Sequence, residues 1–467
     1  MVLPDSKAKR YERHIIMPEI GQLGQKKLLD SHVEVIGNSV SEALSLFYYL
    51  TAVGIGTISY NFQNKNGINN MLFNLKDLNP DITIIESDLT DANNNPKVRI
   101  IIGNMDFVHN KISLLDEKNK SQIPLIIAVT NPWQGLFYVF REKEKPYTDI
   151  FETAYVEFSK NKSFASEGFV LSSCFAGALG ATEAVKCCLN LGDSVDNPLF
   201  YDLMSMRFSG NKNCNIAANK SPKTSRHFKN RISDSKVLII GTGGLGSPVA
   251  FALALIGVGT IGLVDGDHVD LSNLNRQILH STSRIGMSKV ESACWFLKRL
   301  NPSIRIIPYY TNITKENALD LIKDYDVIIA CLDNLPSRYL LNDTCFFAEK
   351  PLVEAGVLRL NGMSQTILPK QGPCYRCIFP EMPSLESIPS PSQAGILGSI
   401  PGVMGFLEAA EVVKLLIGAD GILKDRILLY DAMDLEFRVP SFRGDYRCPL
   451  CGENPSITTL QDYETGL

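Results

Sequence analysis

One pattern is written twice along this chain, and that repetition limits the fold more than any other feature. Val33-Glu-Val-Ile-Gly37 matches Val237-Leu-Ile-Ile-Gly241, and Ala52-Val-Gly-Ile-Gly-Thr-Ile58 matches Leu255-Ile-Gly-Val-Gly-Thr-Ile261. Leu78-Asn-Pro80 matches Leu300-Asn-Pro302, and Ile101-Ile-Gly-Asn-Met-Asp106 matches Ile328-Ile-Ala-Cys-Leu-Asp333. Glu183-Ala-Val-Lys186 and Tyr201-Asp202 return as Glu411-Val-Val-Lys414 and Tyr430-Asp431. Matches in one fixed order mark a tandem duplication. Each unit opens with a β-branched run, a turn, an apolar helix and a second strand. That alternation predicts an α/β fold of doubly wound, mostly parallel sheets with helices on both faces. A length of 467 residues suits two such cores. The polar stretch 211–231, rich in Lys, Asn and Ser, is the expected linker between a first domain, 1–210, and a second, 232–467.

The copies have diverged. The offset between them grows from 204 at Gly37/Gly241 to 222 at Leu78/Leu300, so the first lacks about 18 residues between those points. In the second copy the predicted strand Lys236–Ile240 runs into Gly241-Thr-Gly243-Gly244-Leu-Gly246, followed by a helix over 247–256. Glycines let the backbone turn sharply and approach a phosphate at the positive end of the helix, as in Rossmann-like sheets. Asp265, at the end of the next strand, is placed to take ribose hydroxyls. These features alone fit NAD and ATP equally, and a bare tight turn in an α/β core has the same local pattern. The first copy reads Gly37-Asn-Ser-Val-Ser41-Glu42, where side chains block close approach and Glu42 would repel a phosphate.

The stretch Asp265-Gly-Asp267-His-Val-Asp-Leu-Ser272-Asn273-Leu-Asn-Arg276-Gln277, with Lys289 beyond it, resembles the signature of the ThiF/MoeB/HesA family, relatives of the ubiquitin-activating enzymes. The resemblance covers residues 230–453 and, in decayed form, 10–208. It implies an ATP site built from Gly241, Gly243, Gly244, Gly246, Asp265, Asp267, Asn273, Arg276, Gln277, Lys289, Asp333 and Asn334. In it Asp265 would hold the ribose, Asn273, Arg276 and Lys289 the triphosphate, and Asp333 a Mg²⁺ ion. An NAD enzyme would leave Arg276 and Lys289 unexplained, and a non-catalytic scaffold would leave the whole constellation unexplained. Arg10-Tyr11-Glu12-Arg13-His14 is similar to the family's opening Arg-Tyr-x-Arg-Gln, whose second arginine reaches the partner's ATP site in homodimers. The implied arrangement is an intramolecular pseudo-dimer with one active site, Arg13 completing it from the first half. A surface salt bridge is the plainer role for Arg13, and further homodimerisation is left open.

Cys374-Tyr-Arg-Cys377 and Cys448-Pro-Leu-Cys451 are two Cys-x-x-Cys pairs. Four thiolates so spaced fit a closed tetrahedral Zn²⁺ site of structural type, tying the C-terminal tail to the strand near residue 374. Many relatives carry a catalytic cysteine where this chain has Pro391, and no cysteine lies between Cys377 and Cys448. An enzyme thioester from that loop is therefore excluded. Ser390 and Ser392 lack an evident base, and 380–391 reads as a loop over the site. Cys331, Cys345, Cys187 and Cys188 read as core residues.

The expected reaction is transfer of AMP from MgATP to a C-terminal carboxylate. The substrate is a small β-grasp, ubiquitin-like sulfur carrier or, as the alternative, a ribosomally made peptide of a microcin-like pathway. A net charge of −4 gives no reason to expect nucleic acid or an anionic membrane. The first residues, Met1-Val2-Leu3-Pro4-Asp5, do not form a signal peptide, and the longest apolar run, around 249–264, is short for a membrane span. The expected compartment is the cytoplasm, with reduced thiols.

Overall fold

A computed structural model describes residues 3–88, 95–118, 123–141, 166–192, 197–210, 232–382 and 391–463. The expected linker, 211–231, and most of the expected loop, including Ser390, lie outside them. The first sheet contains β1 (His32–Ser39), β2 (Thr57–Asn64), β3 (Thr83–Glu86), β4 (Val98–Gly103), β5 (Leu125–Asn131), β6 (Gln134–Phe140), β7 (Leu199–Asp202) and β8 (Arg207–Ser209), in the order 3-2-1-4-5-6-7-8. The second contains β9 (Lys236–Ile240), β10 (Thr260–Val264), β11 (Arg305–Tyr309), β12 (Val327–Ala330), β13 (Leu352–Leu358), β14 (Asn361–Ile367), β15 (Leu428–Asp431) and β16 (Glu436–Arg438), in the equivalent order 11-10-9-12-13-14-15-16. In each sheet the first five strands run parallel and the last three antiparallel. The chain is thus two copies of one mostly parallel, doubly wound topology.

The repeated Gly-x-Gly-Thr motif has a mechanical cause. Gly54 and Gly257 end their helices in the left-handed conformation, with φ of 90° and 88°. Two residues on, a Cβ at Gly56 would lie 1.7 Å from the Leu29 carbonyl oxygen, and one at Gly259 would lie 1.8 Å from that of Ser233. Both glycines therefore serve the helix-to-strand return in each copy.

The halves share one apolar core. Helix Ser166–Leu189 of the first packs against helix Ile400–Ile417 of the second, and Thr182 Oγ1 donates to Ser399 Oγ across the contact at 2.7 Å. Tyr48 meets Phe251 and Phe296 edge to face at 5.5 and 5.8 Å, and Phe208 stacks on Phe437 at 4.3 Å. Such aromatic pairs add roughly 0.5–1.5 kcal/mol each beyond the area they bury. Among the described residues, helix Ser166–Leu189 is the one long and apolar enough to cross a membrane, and 89% of its apolar window is buried inside the protein.

Candidate active site and cysteine cluster

Strand order reverses beside β9, and the crevice outside the carboxyl ends of β9 and β12 is where an open α/β sheet binds ligands. The glycine turn fills that place. Gly241 has φ of 95°, and a Cβ on Gly246 would lie 1.9 Å from the Gly241 carbonyl oxygen, so the turn closes only with glycine at both positions. Helix Gly246–Ile256 follows at once, starting one residue before the expected limit. A Cβ at Gly243 would face Gln277 Nε2, and one at Gly244 would face the Arg276 side chain. The turn and the Arg276-Gln277 segment are therefore neighbours.

Asp265 leaves the end of β10 and accepts hydrogen bonds from the Thr242 amide (2.8 Å), the Thr242 hydroxyl (2.9 Å) and the Asp267 amide (2.9 Å). Two carboxylate oxygens can take about four such bonds, so one acceptor position is left for a ribose hydroxyl. Asn273 closes a capping box: its Oδ1 accepts from the Asp270 amide while Asp270 accepts from the Ser272 amide. Lys289, the first residue of helix Lys289–Leu300, is paired with Asp267 at 2.8 Å. Asp333 is exposed just past β12, and Asn334 caps helix Leu335–Phe347 by accepting from the Ser337 amide at 2.9 Å.

Arg276 donates to the Ser272 carbonyl and to Asn275 Oδ1, each at 2.8 Å. Burial, then repulsion from Arg13, pulls its guanidinium down to about 10, while Asp333 and Glu12 oppose the fall. Arg13 of the first half and Asp333 of the second are thus both within electrostatic reach of Arg276. Two guanidiniums within electrostatic reach of each other, that of Arg276 half-buried, form a place where an anion relieves both repulsion and desolvation. Beside them Asn275 Nδ2 and Gln277 Oε1 are buried without a hydrogen-bond partner among the described residues. A polar ligand fits such groups.

In the first copy Gly37 is covered by Phe62, whose ring a Cβ there would meet at 2.3 Å. Ser39 caps helix Val40–Val53, and Glu42 takes hydrogen bonds from Asn38 and Ser39. The chain passes from β2 to helix Ile68–Leu78 without an equivalent of residues 265–288.

The Sγ atoms of Cys374, Cys377, Cys448 and Cys451 lie within 4.8 Å of one another, with separations of 3.5, 3.3 and 3.4 Å for 374–448, 377–451 and 451–374. A tetrahedral Zn–S₄ centre with bonds near 2.3 Å places its sulfurs about 3.8 Å apart, so the donors fit. One expectation is corrected. Cys374 caps the short helix Tyr375–Ile378, and Cys377 lies within it, beyond the end of β14. A helical turn aims both thiols of a Cys-x-x-Cys pair at one point, which alternating strand positions cannot do. Of the other described cysteines, burial raises Cys331, Cys345 and Cys174 well above an ordinary thiol, Cys187 to about 12, and Cys188 and Cys294 to about 11. None has the exposed, electropositive setting of a nucleophile.

Sequence reasoning missed the polar residues that join the halves. His14 Nε2 accepts from the Gly398 amide at 2.9 Å, and the Arg13 carbonyl accepts from the Ile396 amide at 3.0 Å. Arg10 donates to the Leu78 carbonyl and to Thr282 Oγ1, both at 2.9 Å. Arg10 and His14 lie inside the Arg-Tyr-x-Arg motif, which was the available signal.

The glycine turn at the switch point, with Arg276 and Gln277 beside it and Arg13 of the first half within electrostatic reach of Arg276, belongs to an α/β domain with an appended cysteine cluster. Residues 220–452 match the ThiF family, and the C-terminal half of this chain is a ThiF-family domain. The chain is 43% identical over 235 residues to adenylyltransferase and sulfurtransferase MOCS3 of Culex quinquefasciatus, covering 50% of this chain and 54% of that protein. It is 46% identical over 236 residues to the Xenopus laevis protein of that name, covering 50% and 52%. The chain spans about half the length of the curated relatives it matches. The solved structure of E. coli MccB with selenomethionyl MccA aligns over 48% of this chain and 68% of that one, at a TM-score of 0.43 and 22% identity.

Proposed function

We propose that this protein adenylates the C-terminal carboxylate of a small ubiquitin-like sulfur-carrier protein. A carboxylate oxygen attacks the α-phosphorus of ATP, the new C(O)–O–P bond forms, the Pα–O bond to the β-phosphate breaks, and pyrophosphate leaves. The observation that carries this reading is the glycine turn at the switch point with Gln277 beside Gly243 and Arg276 beside Gly244, Arg13 and Asp333 lying within electrostatic reach of Arg276. Negative charge gathers on phosphate and departing pyrophosphate in such a reaction, and prearranged cations stabilise it.

Glycines 241, 243, 244 and 246 leave room for phosphate oxygens against the helix terminus. Asn273, Arg276, Gln277 and Lys289 hold the triphosphate, while Asp265 and Asp267 orient the ribose edge. Arg13 reaches in from the first half as an arginine finger. Asp333, beside Asn334, would hold a Mg²⁺ ion, which would supply positive charge against the leaving pyrophosphate. The cysteine cluster holds Zn²⁺ and is structural, since four protein ligands leave no open position. With the described cysteines outside it buried, the adenylate passes directly to an external nucleophile. The relatives' name couples adenylyl transfer to sulfur transfer, which favours a sulfur carrier over a peptide as the carboxylate donor.

ATP–pyrophosphate exchange tests the reading. A carrier ending in Gly-Gly should support exchange, and the same carrier lacking its last glycine should not. Exchange with a short peptide alone would transfer the enzyme to peptide modification. No exchange with either, despite ATP binding, would refute adenylation.

A further inference from the structure

We propose that Asp77, in the half without a glycine turn, is a positioning residue for the ATP site of the other half, fastening the segment between Arg276 and Lys289. The proposal rests on the reading of that site given above. Asp77 lies in the last turn of helix Ile68–Leu78. Its Oδ2 accepts from Ser281 Oγ at 2.6 Å and from Ser283 Oγ at 2.7 Å, its Oδ1 accepts from the Ser283 amide at 3.0 Å, and Arg284 Nη1 lies 3.7 Å from Oδ2. Thr282 between them is held by Arg10 and donates to the Leu78 carbonyl at 3.2 Å. Every residue from 281 to 284 is therefore tied to the first half. Lys9 pairs with Asp270, just before that segment, at 3.0 Å.

The anchor is continuous with the glycine turn. Arg284 Nε donates to Ser292 Oγ at 3.0 Å, and Ser292 lies 3.0 Å from His280 Nδ1. His280 Nε2 donates to the Thr242 carbonyl at 3.1 Å, and Thr242 bonds Asp265. An ion pair from Asp77 to Arg284, continued by hydrogen bonds through Ser292 and His280, thus reaches the residue following Gly241.

Two physical points favour this role over one within its own half. A carboxylate in the last turn of a helix faces the negative end of the dipole, so Asp77 does not serve its own helix. The duplicated position in the second copy is Arg299, whose guanidinium lies over the Trp295 ring at 4.6 Å. The first copy lacks the segment that Asp77 grips, so Arg299 has no equivalent partner to hold. The acid is present only on the side where the segment exists.

The test uses the full-length protein with Asp77→Ala and Asp77→Asn. Hydrogen exchange is followed over residues 279–289, with helix Ile400–Ile417 as the internal reference, alongside KM for ATP and for the carboxylate substrate. Removing charge-assisted hydrogen bonds should raise exchange over 279–289 and KM for ATP by about tenfold each in Asp77→Ala. Helix Ile400–Ile417 and KM for the carboxylate substrate should not change. Asp77→Asn, which keeps one oxygen for the two serine hydroxyls but loses the acceptor for the Ser283 amide and the charge facing Arg284, should fall between and decides the matter if the alanine variant does not fold. Unchanged exchange and unchanged KM for ATP, in protein whose wild type binds ATP, overturn this proposal alone. A wild type that binds no ATP overturns the adenylation reading and this proposal with it.

Discussion

Acidification from pH 7 to pH 5 should loosen this protein through two histidines, and His14→Gln should remove half of that sensitivity. Burial, then the Arg276 charge, holds His14 down to about 4 against the hydrogen bond with Gln25. Burial, then Lys289 and Arg284, holds His280 down to about 3 against the bond to Thr242. Both rings are locked as neutral tautomers. The Gly398 amide points at His14 Nε2, so the His14 proton rides Nδ1 toward Gln25 Oε1 at 2.8 Å. His280 donates through Nε2 to a carbonyl, which leaves Nδ1 to accept from Ser292 Oγ. In the unfolded chain each ring titrates near 6.5. Between that value and about 4 the unfolded state binds two more protons than the native state, so stability rises with pH and is lost as pH falls. The pair contributes about 3–4 kcal/mol of loss between pH 7 and pH 5, against a typical total of roughly 5–15 kcal/mol.

Urea unfolding of wild type and His14→Gln at several pH values in that range measures the effect. Glu183, Glu354 and Glu408, which burial raises, titrate in both proteins and cancel in the difference. The variant starts from lower stability, since one glutamine cannot serve Gly398 and Gln25 as the ring does, but its decline to pH 5 should be shallower by about 2 kcal/mol. Parallel decline of the two proteins would refute the reasoning. It would mean that His14 titrates with an ordinary value and that its ring is not held between Gln25 and Gly398.

Gly246→Ala should abolish nucleotide binding, because the new Cβ would lie 1.9 Å from the Gly241 carbonyl oxygen; calorimetric titration with ATP checks this, and retained affinity would place the nucleotide elsewhere. Cys448→Ser should reduce bound zinc from one ion per chain to none by atomic emission and make residues 440–457 a site of limited proteolysis. The second half's sheet should survive, since the Arg376–Asp343 pair at 2.9 Å still anchors the cluster's helix. Arg13→Ala should slow pyrophosphate exchange by about 10²–10³ with unchanged melting if it is a finger for the transition state. A change in melting alone would return it to a structural role.

The parts of this molecule that were legible in its sequence are those whose physics is local. Paired glycines at 54 and 56, and again at 257 and 259, announce the same helix-to-strand return, so the duplication exposed both sheets. The glycine turn and the two Cys-x-x-Cys pairs are legible for the same reason. Their geometry is set within a few residues, and the cluster's four thiols do converge. Only the C-terminal end of helix Ser166–Leu189 is legible, because alanine, glycine and serine dilute its apolar character, although its close packing depends on them: a Cβ at Gly177 would meet Ser45 Oγ at 2.1 Å.

What stayed hidden is long-range and polar. Nothing in Ser281-Thr-Ser-Arg284 indicates that an aspartate 204 residues earlier will take its hydroxyls, and nothing at His14 points to an amide 384 residues later. Ordinary serines and histidines carry no period and no spacing rule, so only the fold can pair them. The same holds for the ion pairs Glu183–Lys186 and Glu411–Lys414, which were visible as repeats but not as buried pairs on the two central helices. A buried ion pair adds little net stability over an apolar pair of the same shape, yet breaking one strands a charge. Each pair joins residues three apart on one helix and travels with it, so the pairs do not fix how the helices sit against each other. That register is held by contacts that cross between the halves, such as Thr182 to Ser399, and the contacts of Arg10, Arg13, His14 and Asp77 with the second half depend on it. The half that lost the glycine turn thereby sets the geometry of the half that kept it.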